Sequence, residues 1–573
     1  MDEELRAEIE RAAEIHALLN AIKHDGEANV GAIMGPLMGE NPAFRPHGDR
    51  IPGIVAPVVN RINQLDPTDQ RNRLGELAPD KLAAFEEPED DADDQVLPDL
   101  ANTDDIPQVR MRLAPNPNGP WHLGNARMCS VIGTYKDLYD GWMLCRFDDT
   151  DPETKRPDLD AYDAILDAIE YLGFEPDDVI RASDRLEIYY EYARELIELG
   201  GAYTCSLPGD EFSQLKRAGT PSPNRTKDPD TVSEEFEAMI AGDYDPGEMV
   251  LRVKTDMDHK NPALRDWVAF RQVGAPHPRK EAADFRCWPL LDFQSGIDDH
   301  LTNITHIIRG IDLQDSAKRQ QFLYDYFGWD YPEVIHWGHV QIDEYDISMS
   351  TSTLKELIHS GELDGWDDPR APTIASLKRR GIRGQAIVNA MVDLGTSTSN
   401  VDLAMSSIYA YNRELIDEET DRYFFVRDGM RLPLVGNPPD SAQPPRHPTN
   451  EDRGVREIPI GDAVLVEPDD LPDHGERVWL KGLGCVRLLR DAFELTGDGI
   501  DAVREEDVPV IHWVPADTGV ETTLERPTGT ETGVAEPEVT GLSEDTVVQF
   551  ERVGFARIEQ ANERAVMALF AHR

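Results

Sequence analysis

What most limits the fold of this chain is the alternation of strand-length and helix-length apolar runs between Val109 and Val340. PQVRMRLAP reads as a strand, a Pro/Gly/Asn loop leads into a helix from about Leu123, and WMLCRFDDT supplies a second strand. YDAILDAIEYLGF and RLEIYYEYARELIELGGAY carry the spacing of amphipathic helices. After an interruption the pattern resumes with HIIRG, LQDSAKRQQFLYDYFGW and EVIHWGHV. Strand, helix and strand in succession predict an α/β layered domain built on a parallel sheet. The interruption, from Thr204 to about His277, is polar and rich in proline, with short alternating runs such as EMVLRVKTDM, and reads as a subdomain inserted between two halves of the sheet.

The rest of the 573 residues needs other cores, since a domain averages roughly 150 residues. From Asp2 to about Lys81 apolar positions such as Ala13, Ile15, Leu18, Leu19 and Ile22 recur at three- and four-residue intervals, predicting a helical unit. EEPEDDADDQVLPD (Glu86–Asp99) combines proline and dense acid, as an exposed linker does. Pro372 to Asn412 is helical again. From Tyr423 onward short alternating runs (RYFFV, AVLVEP, ERVWLKG, GCVRLLR, PVIHWV, VVQFERVGFARI) with turn residues between them predict β-barrels. The five cysteines are scattered, with no CxxC, and read as buried thiols rather than a disulfide or zinc framework. No apolar run approaches the roughly 20 residues that span a bilayer. The chain starts on an acidic helix rather than a basic leader, so a cytoplasmic protein with no membrane partner is expected.

The charge is extreme: 57 Lys+Arg against 110 Asp+Glu give −53, with lysine reduced to thirteen and arginine at forty-four. At ordinary ionic strength such a surface repels nucleic acid. Carboxylate spread through most segments with lysine nearly eliminated reads as adaptation to molar salt, where the Debye length is about 3 Å and a local groove still docks a polyanion.

RLAPNPNGPWHLGNAR (Arg112–Arg127) concentrates the chemistry. Prolines and Gly119 stiffen the loop, His122 and Asn125 stand where a helix begins, and Gly124 leaves room between them for a flat ring to approach the backbone. A helix N-terminus beside a neutral imidazole suits phosphate. A strand-to-helix turn capped by Asn is the structural alternative.

In its full context this run resembles the HIGH element of class I aminoacyl-tRNA synthetases in the form used by glutamyl and glutaminyl enzymes. The resemblance continues through LCRFDDTDPET (Leu144–Thr154), GDYDPGEMVLRVKTDMDHKNPALRDWVAFR (Gly242–Arg271), CWPLLDFQSGIDDHLTNITHIIRGIDLQDS (Cys287–Ser316) and DISMSTSTL (Asp346–Leu354). Order and spacing follow the archaeal-type glutamyl-tRNA synthetase family from about Arg110 to the C-terminus. The implied fold is α/β: a Rossmann-type catalytic domain with an inserted acceptor-binding subdomain, an N-terminal helical domain and C-terminal all-β barrels. The boundaries expected are 1–85 for the helical domain, 86–106 for the acidic linker, 107–203 for the first catalytic half, 204–284 for the insertion, 285–365 for the second half, 366–415 for a helical stem-contact unit and 416–573 for anticodon-binding barrels.

The resemblance implies ATP-dependent activation of L-glutamate and its transfer to tRNA(Glu), with Mg²⁺ accompanying ATP and tRNA(Gln) left open as a second acceptor. It implies that His122, Gly124 and Asn125 meet ATP phosphates, that Asp312 of GxDxQ binds the ATP ribose unless it caps a helix, and that Met349, Ser350 and Ser352 form the second ATP loop. Arg112 would hold a substrate carboxylate, Asp148 the α-ammonium, and Arg309 the side-chain carboxylate that separates glutamate from glutamine. An ion pair of Arg309 with Asp312 is the structural alternative. Arg252 and Arg271 would face the acceptor stem, and Trp479, Trp513 and Phe550 are candidates for stacking on bases, although most aromatics at strand spacing are core.

Two positions depart from the family pattern. Ser348-Met349-Ser350-Thr351-Ser352 carries neither lysine of the KMSKS element, leaving hydroxyls, backbone amides, Mg²⁺ or Lys355 to meet the triphosphate. Leu291 stands where relatives often carry a tyrosine that touches the amino acid. The rival readings are a glutaminyl-tRNA synthetase and an inactive tRNA-binding paralogue.

Overall fold

The computed structural model describes residues 3–23, 28–31, 33, 37, 44, 50–78, 81, 97–104, 106–342, 345 and 347–573. Contacts divide the chain into two compact units, Met1–Gln95 and Val96–Arg573.

In the first unit α1 (Glu3–Lys23) turns Ile9, Ala13, Ala17, Leu18 and Ala21 onto Ile51, Val55, Val58 and Ile62 of α2 (Ile51–Ile62). Three- and four-residue spacing on both helices makes the apolar stripes that meet. From α1, Glu14 accepts hydrogen bonds from Arg61 at 3.3 Å and from Arg73 of α3 (Pro67–Leu77) at 2.9 Å. Residues 86–96 of the expected linker lie outside the described residues. Leu97 and Leu100, also placed in that linker, are buried in the core of the second unit, and the Tyr135 hydroxyl donates to the Pro98 carbonyl at 2.8 Å.

The second unit is organised by parallel strands. β1 (Arg110–Leu113), β2 (Trp142–Phe147) and β3 (Asp178–Arg181) pair in that order, with Arg112 opposite Leu144 and Leu144 opposite Asp178. α4 (Leu123–Leu138) and α5 (Leu159–Tyr171) make the connections. α6 (Leu186–Glu198) leads into the insertion, an antiparallel sheet of β4 (Ala202–Cys205), β5 (Val250–Val253), β6 (Val268–Gln272) and β7 (Cys287–Pro289) in sequence order. α7 (Gly209–Ala218) and α8 (Pro229–Ala241) belong to the same subdomain, their Phe212, Phe236 and Met239 sharing its core. The chain then returns through α9 (Leu291–Leu301), β8 (His306–Gly310), α10 (Gln314–Phe327) and β9 (Glu333–Trp337). β8 and β9 are parallel, and Thr305, just before β8, donates its N–H to the Arg110 carbonyl at 2.9 Å. β8 therefore lies against the free edge of β1, and the layer order is β3-β2-β1-β8-β9.

α11 (Thr351–Ser360), α12 (Ile374–Arg379), α13 (Gly384–Val392) and α14 (Met405–Ile416) follow. The C-terminal region holds two seven-stranded sheets, and each closes through one short segment. The outer strands of one sheet, Arg422–Tyr423 and Phe425–Arg427, are separated only by Phe424; those of the other, Val510–Ile511 and Val514–Pro515, only by His512 and Trp513. A sheet whose two edges are one stretch of chain curls on itself, giving two barrel-like units without free edges. Phe424 and His512 stack at 4.9 Å where the two closures meet. All five cysteines are buried and unpaired. Among the described residues no helix is long and apolar enough to cross a membrane.

Candidate active site

A parallel sheet that adds strands on both sides of β1 opens a crevice beyond the carboxyl ends of β1 and β8, where the chain leaves in opposite directions. A cleft of about 760 Å³ occupies this position, lined by Arg112, Asn125, Asp148, Leu291, Arg309 and Asp312 among others.

Its floor is a buried charge cluster. Arg112 from β1 and Arg146 from β2 both donate to Asp299 Oδ1 of α9, at 3.1 and 2.8 Å. Arg146 also reaches Asp148 Oδ1 at 2.8 Å. Arg309, at the end of β8, donates to Gln320 Oε1 at 3.2 Å, and Tyr331 donates to the same oxygen at 2.6 Å. Burial by itself would push the Asp299 carboxyl up; Arg112, Arg146 and Arg309 outweigh it and hold Asp299 below the ordinary carboxylate range. Burial and the neighbouring Arg112 lower Arg309. Asp298 also acts on Arg146 and is paired with Arg185, so four guanidinium groups face three carboxylates here, an excess of one positive charge in a low-dielectric pocket. Arg309 Nε, Arg146 Nη2 and Asp299 Oδ2 are buried without a hydrogen-bond partner. The two guanidinium nitrogens suit the acceptor oxygens of an anion, and the Asp299 oxygen suits a donor.

The rim comes from the loop and helix after β1. His122 is the N-cap residue of α4, and burial lowers its imidazole to about 4, so the ring is neutral. Its Nδ1 is buried without a partner. A Cβ on Gly124 would stand 3.1 Å from the His122 ring, so the flat group this glycine admits is the imidazole itself. Gly119 is constrained in the same way: a Cβ there would meet Thr351 at 2.6 Å and Trp366 at 3.1 Å, which seats the start of α11 against the rim. Ser350 caps α11 by accepting from Thr353 N at 3.5 Å, and Met349 packs against the catalytic core. Neither they nor Ser352 are among the cleft-lining residues. Lys355 pairs with Asp158 at 3.3 Å.

Other sequence candidates separate clearly. Arg309 does not pair with Asp312; Asp312 lines the cleft, half exposed, with Oδ1 3.6 Å from His339 Nε2. Arg252 is corrected as a tRNA contact: it is buried, its guanidinium lies 3.3 Å over the Phe212 ring, and it donates to the Asp266 carbonyl. Arg271 remains partly exposed, paired with Asp151 at 3.1 Å on the cleft wall. Trp513 and Phe550 are also corrected, because both are fully buried in barrel cores and the Trp513 indole donates to the Lys481 carbonyl at 3.0 Å. Trp479 alone of the three is partly exposed. Asp299, Arg146, Gln320 and Tyr331 are functional residues that sequence reasoning misses; a signal exists only for Asp299, in the set of polar residues of DFQSGIDDH on a helix buried almost all round.

A Rossmann-type sheet split by an insertion, with an arginine-rich floor at the switch point and a HLGN rim, is the arrangement of a class I aminoacyl-tRNA synthetase. Residues 108–418 match the family model "tRNA synthetases class I (E and Q), catalytic domain", and 420–501 and 510–559 match the two anticodon-binding domain models of that family. The chain belongs to this family. It is 67% identical over 572 residues to the glutamate–tRNA ligase of Natronomonas pharaonis, covering 100% of both chains. It is 65% identical over 581 residues to that of Haloarcula marismortui, again covering 100% of both. The glutamate–tRNA ligase of Methanosarcina acetivorans is 42% identical over 572 residues, 98% of this chain and 99% of that one.

Proposed function

We infer that this chain is an ATP-dependent glutamate–tRNA ligase of the class I type, working at high salt in the cytoplasm. The observation that carries the substrate is the floor of the cleft. Its surplus of one positive charge matches glutamate, whose two carboxylates and one ammonium sum to −1, whereas glutamine sums to zero and would leave a buried guanidinium uncompensated. Arg309, with Nε unpartnered, takes the side-chain carboxylate, Arg112 helps to hold the amino acid's carboxylate groups, and Asp148 takes the α-ammonium.

In the first step an oxygen of the α-carboxylate attacks the α-phosphorus of ATP, the bond to the β-phosphate breaks, and diphosphate leaves. In the second, a terminal ribose hydroxyl of tRNA attacks the glutamyl carbonyl and AMP leaves. Positioning and charge stabilisation supply most of the acceleration in such chemistry. His122, neutral and with an imidazole nitrogen to spare, and Asn125 at the first turn of α4 meet the phosphates, aided by the helix N-terminus. With the loop lysines absent, the Ser350 and Ser352 hydroxyls and backbone amides at the start of α11, which is seated beside the rim at Gly119 rather than in the cleft wall, are the candidates to meet a triphosphate that extends past the rim, and Asp312 faces the ribose. Mg²⁺ would arrive with ATP, bound to its phosphates, and would offset charge on them. On the tRNA side, Arg271 faces the acceptor end and Trp479 is the remaining stacking candidate.

The test is aminoacylation in molar KCl with ATP, Mg²⁺ and haloarchaeal tRNA(Glu) or tRNA(Gln), offering labelled glutamate and labelled glutamine separately. Glutamate alone should be charged. Charging with glutamine would overturn the charge argument, and tRNA binding without AMP formation would favour an inactive paralogue.

A further inference from the structure

Within α9 one side chain stands out from the charge cluster beside it. Gln294 is completely buried, lines the cleft, and has neither a donor for its Oε1 nor an acceptor for its Nε2 among the protein atoms. An amide buried with both ends unpaired carries a penalty on each atom, and most buried side-chain amides avoid it. Gln294 lies one helical turn after Leu291, so both project toward the same side of α9, and both line the cleft. Leu291 is apolar and 40% exposed there, and supplies no polar contact to a substrate.

The position of the amide indicates what it meets. Arg146 spans from Asp148 Oδ1 at 2.8 Å to the backbone carbonyl of Ser295 at 3.4 Å, which brings the turn of α9 that carries Gln294 alongside the end of the cleft assigned to the α-ammonium. Asp148 uses Oδ1 on Arg146 and has Oδ2 left for an ammonium, which carries more donors than one oxygen satisfies.

We propose that Gln294 is a substrate-recognition residue: its side-chain carbonyl accepts a hydrogen bond from the α-ammonium of glutamate, beside Asp148, and its NH₂ group faces the carboxylate on the same carbon. The amide thus takes the place that Leu291 leaves empty of polar atoms. This rests on the reading that glutamate occupies the cleft. It differs from the role of Arg309, which acts at the other end of the amino acid.

Gln294→Leu, similar in volume and without polar atoms, tests it with two ligands. Glutamate is followed by its KM in aminoacylation, and glutarate, which keeps both carboxylates and lacks the amino group, by its inhibition constant. Losing a hydrogen bond to a charged group should raise KM for glutamate roughly 10- to 100-fold. Glutarate keeps the carboxylate that the NH₂ group faces and lacks the ammonium, so its inhibition should weaken by a clearly smaller factor than KM for glutamate rises. KM for ATP should stay within error of the parent value, and the melting temperature should hold or rise, because no protein hydrogen bond is lost and two unpaired buried polar atoms are removed. An equal loss for glutarate, a rise confined to KM for ATP, or an unchanged KM for glutamate would each overturn the assignment. If Gln294→Leu does not fold, Gln294→Met is judged by the same measurements. Failure of the unmodified enzyme to use glutamate at all would instead overturn the reading of the cleft.

Discussion

Replacing Arg309 by glutamine removes the surplus charge while keeping a polar side chain of moderate length near Gln320. In the parent chain Arg112, Arg146 and Arg309 face Asp148 and Asp299, and Arg309 is lowered by burial and by Arg112. Without substrate, the substitution therefore relieves repulsion, and the melting temperature should hold or rise. With glutamate bound, the side-chain carboxylate loses a buried, charge-assisted partner, a change of about 2–5 kcal/mol. At about 1.4 kcal/mol per factor of ten, kcat/KM for glutamate should fall roughly 30-fold to several thousand-fold. Glutamine, having no carboxylate to leave unpaired, should lose far less or gain. The assay is initial-rate aminoacylation at saturating ATP and tRNA in molar KCl, with each amino acid varied in turn and thermal melts run alongside. An unchanged ratio of kcat/KM for glutamate over glutamine would refute the specificity argument. A fall in melting temperature matching the activity loss would show that Arg309 serves the fold instead.

His572 stacks on Tyr409 at 5.2 Å, its Nε2 accepts from Asn412 at 2.9 Å, and burial holds it at about 4. The folded chain then refuses a proton that the unfolded chain takes near pH 6.5, so stability present above that pH declines as the pH falls to 4, by about 3 kcal/mol for this group. Thermal melts from pH 7.5 to 4.5 should show a shallower acid decline in His572→Gln than in the parent. A Cβ on Gly384 would stand 1.8 Å from the Tyr171 carbonyl oxygen, so Gly384→Ala should destabilise by about 1–3 kcal/mol despite the better helix propensity of alanine, and an unchanged denaturation midpoint would contradict this packing. Trp513→Ala should cost about 3–5 kcal/mol in a denaturant titration, as a buried core residue does. Trp479→Ala should leave that midpoint nearly unchanged and weaken tRNA binding by about 1–3 kcal/mol, measured by filter retention; the opposite pattern would reverse the two assignments.

The parts of the site legible in the sequence are those made by one stretch of chain. Arg112, the rigid loop and His122 belong to a single β1–loop–α4 passage, where proline, glycine and the helix start leave few backbone alternatives. Asp148 and Arg309 follow the same logic, each at the carboxyl end of a parallel strand that an apolar run had already marked. The partners that give these residues their electrostatics were hidden because they arrive through the fold: Arg112 meets Asp299 across 187 positions, and Arg146 meets it across 153. Pattern reading treats the polar residues of α9 as a solvated face, yet Asp292, Gln294, Ser295, Asp298 and Asp299 are all buried. The barrels fail in the opposite sense. Alternation located the strands, but which face of each strand is core depends on where the sheet closes, and the closing segments put Trp513 inside while Trp479 stays partly outside. A one-dimensional pattern therefore finds the residues that bind through local geometry, whereas the residues that tune them are chosen by which strands become neighbours. The discrimination proposed for Arg309 requires β8 to lie beside β1, which brings its charge to the one already set by Arg112 and Arg146 around Asp299.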